Sequence, residues 1–306
     1  MARINSADDQ VIAAVNVYDP DKGKQHVEIY LRVESGPEGA RFGLGIDGSA
    51  SMKGNFAADI PALFRKPEQN IMQPVVQKLC GFLRGLSSDD KVNVIYWAVG
   101  KAGGEIEPVG IVDEALEQKM KIEGPKTKNW GPGTQLAPPL KYYADAFKDE
   151  KWAMVLFITD GEIDDLEEAK KLSMEIGRQC AAGKRGYLKL VVVGVGKEVN
   201  EKQLEELNDM FEGSGLAFPA TAKFCAGEDL DMWDYSLASD MKSLWDVMKE
   251  VDFGITIPST LKILDDKGSQ IEAMDEIPMK LDFEVRAGTK NVTLEFASQT
   301  IVQPLT

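Results

Sequence analysis

Between residue 40 and about residue 250, short apolar runs alternate with longer stretches of helical period. This is the pattern of a parallel sheet whose crossovers are helices. Five runs read as strands, at 42–47, 92–99, a weaker one at 105–111, 152–159 and 188–195. The fourth and fifth, W-A-M-V-L-F-I-T and L-K-L-V-V-V-G-V, are nearly all apolar, as strands buried on both faces should be. Helices are expected over 69–87, 112–121, 136–148, 164–183, 200–212 and 237–250, several with apolar residues at i, i+3, i+4. The 164–183 helix opens on Asp164, Asp165, Glu167 and Glu168, acids that complement a helix N-terminus.

Both ends of the chain carry a different pattern. Residues 10–34 and 253–304 alternate polar and apolar with period 2 and contain turn sequences such as D-P-D-K-G-K and D-D-K-G-S, but no helical segment long enough for a crossover. The expected organisation is an N-terminal hairpin (1–39), a central α/β domain (40–251) and C-terminal strands (252–306), with the two ends meeting in one appended antiparallel β-layer.

Composition narrows the function. At 306 residues and 43% hydrophobic, the chain can bury one large core and a smaller unit. With 35 basic and 50 acidic residues the net charge is −15, a sign that repels phosphate backbones and anionic membranes, so neither nucleic acid nor membrane is an expected partner. The absence of a signal-like N-terminus or a spanning apolar run gives a cytoplasmic expectation. Three well-separated cysteines, Cys80, Cys180 and Cys225, without a C-x-x-C pair, argue against a disulfide framework or a thiolate zinc site.

The candidate chemistry lies at strand ends. The first strand runs into Gly45-Ile46-Asp47-Gly48-Ser49-Ala50-Ser51, which puts a carboxylate and two hydroxyls at alternate positions of a turn. Thr134 sits in the Gly/Pro loop Trp130-Gly131-Pro132-Gly133-Thr134 just ahead of a helix, and Asp160 follows the fourth strand in Thr159-Asp160-Gly161. In a parallel sheet the carboxyl ends of strands fall on one edge, where such sheets place ligands. Every donor is oxygen, so a hard cation is the natural occupant: Mg²⁺ fits best, Mn²⁺ could substitute, and Ca²⁺ would want more ligands.

Taken together and in order, Asp47-x-Ser49-x-Ser51, Thr134 and Thr159-Asp160-Gly161 resemble the metal-ion-dependent adhesion site of von Willebrand factor A (vWA) domains, over roughly residues 40–250. In overall shape the chain is also similar to the cytoplasmic bacterial vWA proteins of tellurite-resistance and stress gene clusters. The resemblance implies a doubly wound, mostly parallel α/β sheet flanked by helices. It also implies that Ser49, Ser51 and Thr134 bind the cation directly while Asp47 and Asp160 act through water or hydrogen bonds. The implied function is an adaptor: an Asp or Glu of a partner protein completes the coordination, within a multi-protein assembly.

Two other classes remain open. A Mg²⁺-dependent hydrolase or phosphatase would use the same cation, but a haloacid dehalogenase-type enzyme needs a second carboxylate where Ser49 stands, and the only histidine, His26, lies in the N-terminal hairpin. No enzyme is expected. In a structural protein, the metal would only staple loops. Val193-Gly194-Val195-Gly196 lacks the third glycine of a dinucleotide fingerprint. The segment 229–235, D-L-D-M-W-D-Y, supports both an exposed recognition loop and a packed connection.

Overall fold

A computed structural model of the chain describes residues 2–8, 11–31, 40–61, 64–219, 227, 229–239, 256–278, 280–296 and 299–305. In chain order the strands are β1 (Ala2–Ile4), β2 (Ile12–Val17), β3 (Lys24–Leu31), β4 (Ala40–Asp47), β5 (Val92–Val99), β6 (Glu105–Val112), β7 (Trp152–Thr159), β8 (Tyr187–Val195), β9 (Trp233–Ala238), β10 (Thr256–Leu264), β11 (Gln270–Pro278), β12 (Lys280–Arg286), β13 (Asn291–Phe296) and β14 (Thr300–Pro304). The helices are α1 (Met72–Leu86), α2 (Glu114–Glu117), α3 (Ala137–Ala146), α4 (Leu166–Ala181) and α5 (Glu201–Asn208). The chain divides into two compact units, Gly39–Val251 and Met1–Glu38 with Asp252–Thr306.

The Gly39–Val251 unit is built on a six-stranded sheet in the order β6-β5-β4-β7-β8-β9. Strands β5, β4, β7, β8 and β9 run parallel, and β6 is antiparallel to β5. Strands β5 and β7 are buried at every position, which explains why their sequences lack polar alternation. Helix α4 shows how the helical period is read out: Ala169, Ser173, Ile176, Gly177 and Cys180 form its buried stripe. One side of the sheet buries Trp97, Phe157 and Trp233 together with Leu136, Leu140 and Tyr143 of the α3 region.

Two elements differ from expectation. The 112–121 helix contracts to the single turn α2, whose start is capped by Asp113 accepting the Leu116 N–H at 2.8 Å. The 237–250 helix begins in what is strand β9, and its remainder, from 240, lies outside the described residues. Of the 229–235 segment, Asp229–Met232 lead into β9 and Trp233–Tyr235 belong to it, with Asp229 and Asp231 exposed. Leu230, Met232 and Trp233 are buried, and the Trp233 indole donates to Ser173 Oγ at 2.9 Å.

The terminal segments form two four-stranded antiparallel sheets, β1-β2-β3-β12 and β11-β10-β13-β14. Their inward residues share one core, with Val15, Val27, Ile29, Leu281 and Phe283 from the first sheet and Leu261, Ile263, Val292 and Leu294 from the second. Leu281, Phe283 and Val285 alternate with exposed positions along β12, as a half-buried antiparallel strand requires.

The expected class, a doubly wound and mostly parallel α/β fold carrying one β-layer, is therefore corrected. Among the described residues strand outweighs helix, 38% against 25%, in a mixed six-stranded sheet and two antiparallel sheets. The physical reason lies at the ends: both terminal sheets have an apolar face, so they bury each other in a core of their own rather than forming a single layer.

Candidate metal centre

The residue pairing Ile46↔Ile158 sets the carboxyl ends of the neighbouring strands β4 and β7 side by side, so Asp47 ends one strand next to Thr159, which ends the other. Asp47 is fully buried. Its Oδ1 accepts the Ser49 N–H at 2.6 Å and its Oδ2 accepts the Thr159 hydroxyl at 2.6 Å. The first bond folds the chain back after β4 and turns Ser49 and Ser51 to the same side. Their hydroxyl oxygens lie 2.9 Å apart, and Ser51 Oγ donates to Asp160 Oδ1 at 2.7 Å.

Thr134 arrives from a distant part of the chain on a strap that precedes α3. The strap is tied to the β4 turn by two backbone bonds, Ala50 N–H to Gly131 O at 2.8 Å and Gly131 N–H to Gly48 O at 3.1 Å. Gly131 is required there because a Cβ would stand 2.1 Å from Ala98 O. Further back, the buried Glu107 accepts three backbone N–H groups, from Lys126, Thr127 and Lys128, and the Thr127 hydroxyl. Burial pushes the Glu107 carboxyl up, but these donors outweigh it and hold it below the usual range. Thr134 is buried, and its Oγ1 lies 3.4 Å from the point where a side chain on Gly161 would begin. The five oxygen-bearing residues singled out from sequence thus lie around the carboxyl ends of β4 and β7: Asp47, Ser49 and Ser51 from one turn, Asp160 from the next, and Thr134 on the strap.

Four residues take roles that the sequence pattern does not assign to them. Thr159 holds Asp47, and Glu107 holds the strap. Asp164 and Asp165 do not serve the first turn of their own helix: Asp165 makes no side-chain cap on α4, and both carboxylates reach across to the strap and the start of α3. Nothing in an acidic doublet ahead of a helix distinguishes a cap in place from a cap in trans.

The donor set suits a hard cation: hydroxyls at Ser49, Ser51 and Thr134 with carboxylates at Asp47 and Asp160, and no nitrogen or sulfur among them. Burial pushes the Asp47 carboxyl up to about 6, against hydrogen bonds from Thr159 and Ser49 that favour its charged form. Burial likewise raises Asp160. A folded-state value of about 6 against an ordinary 3.8 means that the folded protein holds a proton which the unfolded chain releases between those values. In cation-free protein, Asp47 therefore costs stability as pH rises through that window, on the order of 3 kcal/mol once both forms are ionised. Urea unfolding of wild type and Asp47→Asn at about pH 4 and about pH 7 measures this, with wild type losing ground to the variant at the higher pH. The same difference at both pH values would refute it.

A second cluster, His26, Glu28 and Asp282, belongs to the terminal unit. Lys280 Nζ stands 3.1 Å from Glu28 Oε1 and 3.0 Å from Asp282 Oδ2, so an ammonium already serves where a cation would. Glu28 also accepts Asn16 Nδ2 and the Tyr18 hydroxyl, at 3.0 and 2.8 Å, as a satisfied buried carboxylate should. Cys80 and Cys180 are buried thiols, while Cys225 lies outside the described residues. Among the described residues, no helix is long and apolar enough to cross a membrane.

No family model matches the sequence, and no curated protein matches it. Among solved structures the chain is similar to proximal thread matrix protein 1 from the mussel byssus, at 15% identity and a TM-score of 0.42 over 70% of this chain and 47% of that one. It is similar to the pilus adhesin SpaC from Lactobacillus rhamnosus GG in its open conformation, at 10% identity and a TM-score of 0.44 over 95% of this chain and 47% of that one. A third is the PilB minor pilin from Streptococcus sanguinis, at 9% identity and a TM-score of 0.43 over 77% and 76% of the two chains. The chain spans about half the length of the first two. None of the three is named as an enzyme, and at these TM-scores the likenesses decide neither fold nor function.

Proposed function

We propose that this chain is a divalent-cation-dependent protein-binding module, with Mg²⁺ as the cation and an Asp or Glu of a partner protein as its final ligand. The observation that carries the reading is the convergence of Ser49, Ser51 and Asp160, with Ser49 Oγ 2.9 Å from Ser51 Oγ and Ser51 Oγ 2.7 Å from Asp160 Oδ1, on the edge where Thr134 is also delivered. By resemblance to the metal-ion-dependent adhesion site, Ser49, Ser51 and Thr134 would hold the cation directly. Asp47, both of whose oxygens accept protein donors, would act on it through Ser49. A cation held mostly by neutral hydroxyls keeps net positive character, which favours an anionic ligand from outside. Ser51 is exposed and Asp160 half-buried, so this edge is open to a partner.

Hydrolysis is disfavoured by the neighbourhood of the hydroxyls. The Ser49 and Ser51 hydroxyls bond to each other and to the carboxylates of Asp47 and Asp160, and the sequence of the Gly39–Val251 unit contains no histidine to serve as their base.

Affinity capture from native-source lysate tests the reading with three baits: wild type in Mg²⁺, wild type in EDTA, and Thr134→Ala in Mg²⁺. A protein retained only by the first bait, and released by a peptide carrying its acidic residue but not by the Ala version, is the expected result. Identical captures on all three baits would sink it.

A further inference from the structure

We propose that Asp164 and Asp165 are positioning residues of the cation site, a two-carboxylate latch that sets where Thr134 presents its hydroxyl; this rests on reading that site as cation-binding. Thr134 is bound to Asp164 at both of its backbone groups. Its N–H donates to Asp164 Oδ2 at 2.7 Å, and its carbonyl accepts the Asp164 N–H at 2.9 Å. Asp165 spends both carboxylate oxygens on the next part of the strap, accepting Leu136 N–H at 2.6 Å and Ala137 N–H at 3.0 Å.

The Leu136 and Ala137 N–H groups are the two that the start of α3 leaves without an intrahelical partner, since Pro138 and Pro139 carry none, and the Thr134 N–H lies just ahead of them. Leu136, at the N-cap position, has no side chain able to accept them, so the acceptor must come from elsewhere. Charged acceptors make the bonds stronger than neutral caps would. Any side chain at Gly133 would begin 2.3 Å from Asp164 Oδ2, so the strap leaves this carboxylate a dedicated place.

The latch has a consequence for the site. Asp160, Asp164 and Asp165 lie on one loop between β7 and α4, and through the latch that loop grips the strap bearing Thr134. The Asp160 and Thr134 arms are therefore one mechanical piece, and the cation meets both in a fixed relation. Second-layer contacts of this kind typically set metal affinity by about 10- to 100-fold.

The two carboxylates differ in what an amide could replace. Asp164 uses one oxygen of its carboxylate, so Asp164→Asn keeps an acceptor for the Thr134 N–H. Asp165 uses both, so Asp165→Asn must turn an NH₂ toward an N–H. The expected order of Mg²⁺ affinity by calorimetry is wild type close to Asp164→Asn, with Asp164→Ala, Asp165→Ala and Asp165→Asn weaker by about 10-fold or more. Amide hydrogen exchange in cation-free protein supplies the independent reading: protection falls at Thr134 in Asp164→Ala and at Leu136 and Ala137 in Asp165→Ala, and stays high at Thr134 in Asp164→Asn.

Unchanged protection in the alanine variants overturns the latch itself. Altered protection with unchanged Mg²⁺ affinity overturns its role in the site. A wild type that binds no Mg²⁺, with protection lost in the variants as expected, overturns the cation reading and the positioning role together while leaving the latch as a structural cap.

Discussion

On the proposed reading, Thr134→Ala and Ser49→Ala are each expected to weaken Mg²⁺ binding by about 100-fold, no less than the loss of an outer contact costs a metal site, while cation-free stability is expected to change by no more than about 1 kcal/mol. Both variants remove a single hydroxyl. The Ser49 hydroxyl bonds to Ser51, which still has Asp160 as acceptor, and the bonds that hold the turn and the strap are donated by backbone N–H groups that neither substitution removes. Calorimetric titration with Mg²⁺, beside urea unfolding in EDTA, checks both halves. Full Mg²⁺ affinity in both variants would remove the site from these residues. Asp47→Ala is the wrong variant for this purpose: it strips two buried donors, the Ser49 N–H and the Thr159 hydroxyl, of their acceptor, and leaving a buried donor unmatched costs about 1–3 kcal/mol each.

Gly131→Ala is expected to lose about 2–4 kcal/mol of stability and cation binding with it. The new methyl would meet Ala98 O at 2.1 Å and Gly103 Cα at 2.8 Å, both backbone atoms that no rotamer can move aside. Relief requires the strap to lift, and lifting breaks the two bonds between Gly131 and the turn, to Gly48 O and from Ala50 N–H. Gly54→Ala is the control, since a Cβ at Gly54, in the 3₁₀ turn Ser51–Phe56, meets nothing within 4 Å. It should be neutral or slightly stabilising. Equal stability of the two alanine variants, measured by urea unfolding through tryptophan fluorescence, would show that the strap is free to shift.

The strands that carry the site were legible because burial on both faces leaves a continuous apolar run, and W-A-M-V-L-F-I-T at β7 has no other economical reading. Strand β9 was not legible: Trp233–Ala238 is short, polar at Asp234 and Ser236, and becomes a strand by pairing along β8. Helix 112–121 failed for a related reason. Its apolar spacing met no large surface to cover, and one turn remains.

By itself the sequence determined which oxygens could gather, Asp47, Ser49, Ser51, Thr134 and Asp160, because a carboxylate or hydroxyl just past an apolar strand, or in a Gly/Pro loop ahead of a helix, is a local property of residue order. It also determined that the two ends are β-type, since period-2 alternation needs no partner to be seen. Only the tertiary structure decided that those ends make two sheets around a core of their own, because which apolar faces bury each other depends on pairings such as β3 with β12, more than 200 residues apart. The same holds for Asp164 and Asp165. Whether a carboxylate caps its own helix or reaches to the strap of Thr134 is settled by distances across the fold, on which adjacency in sequence is silent.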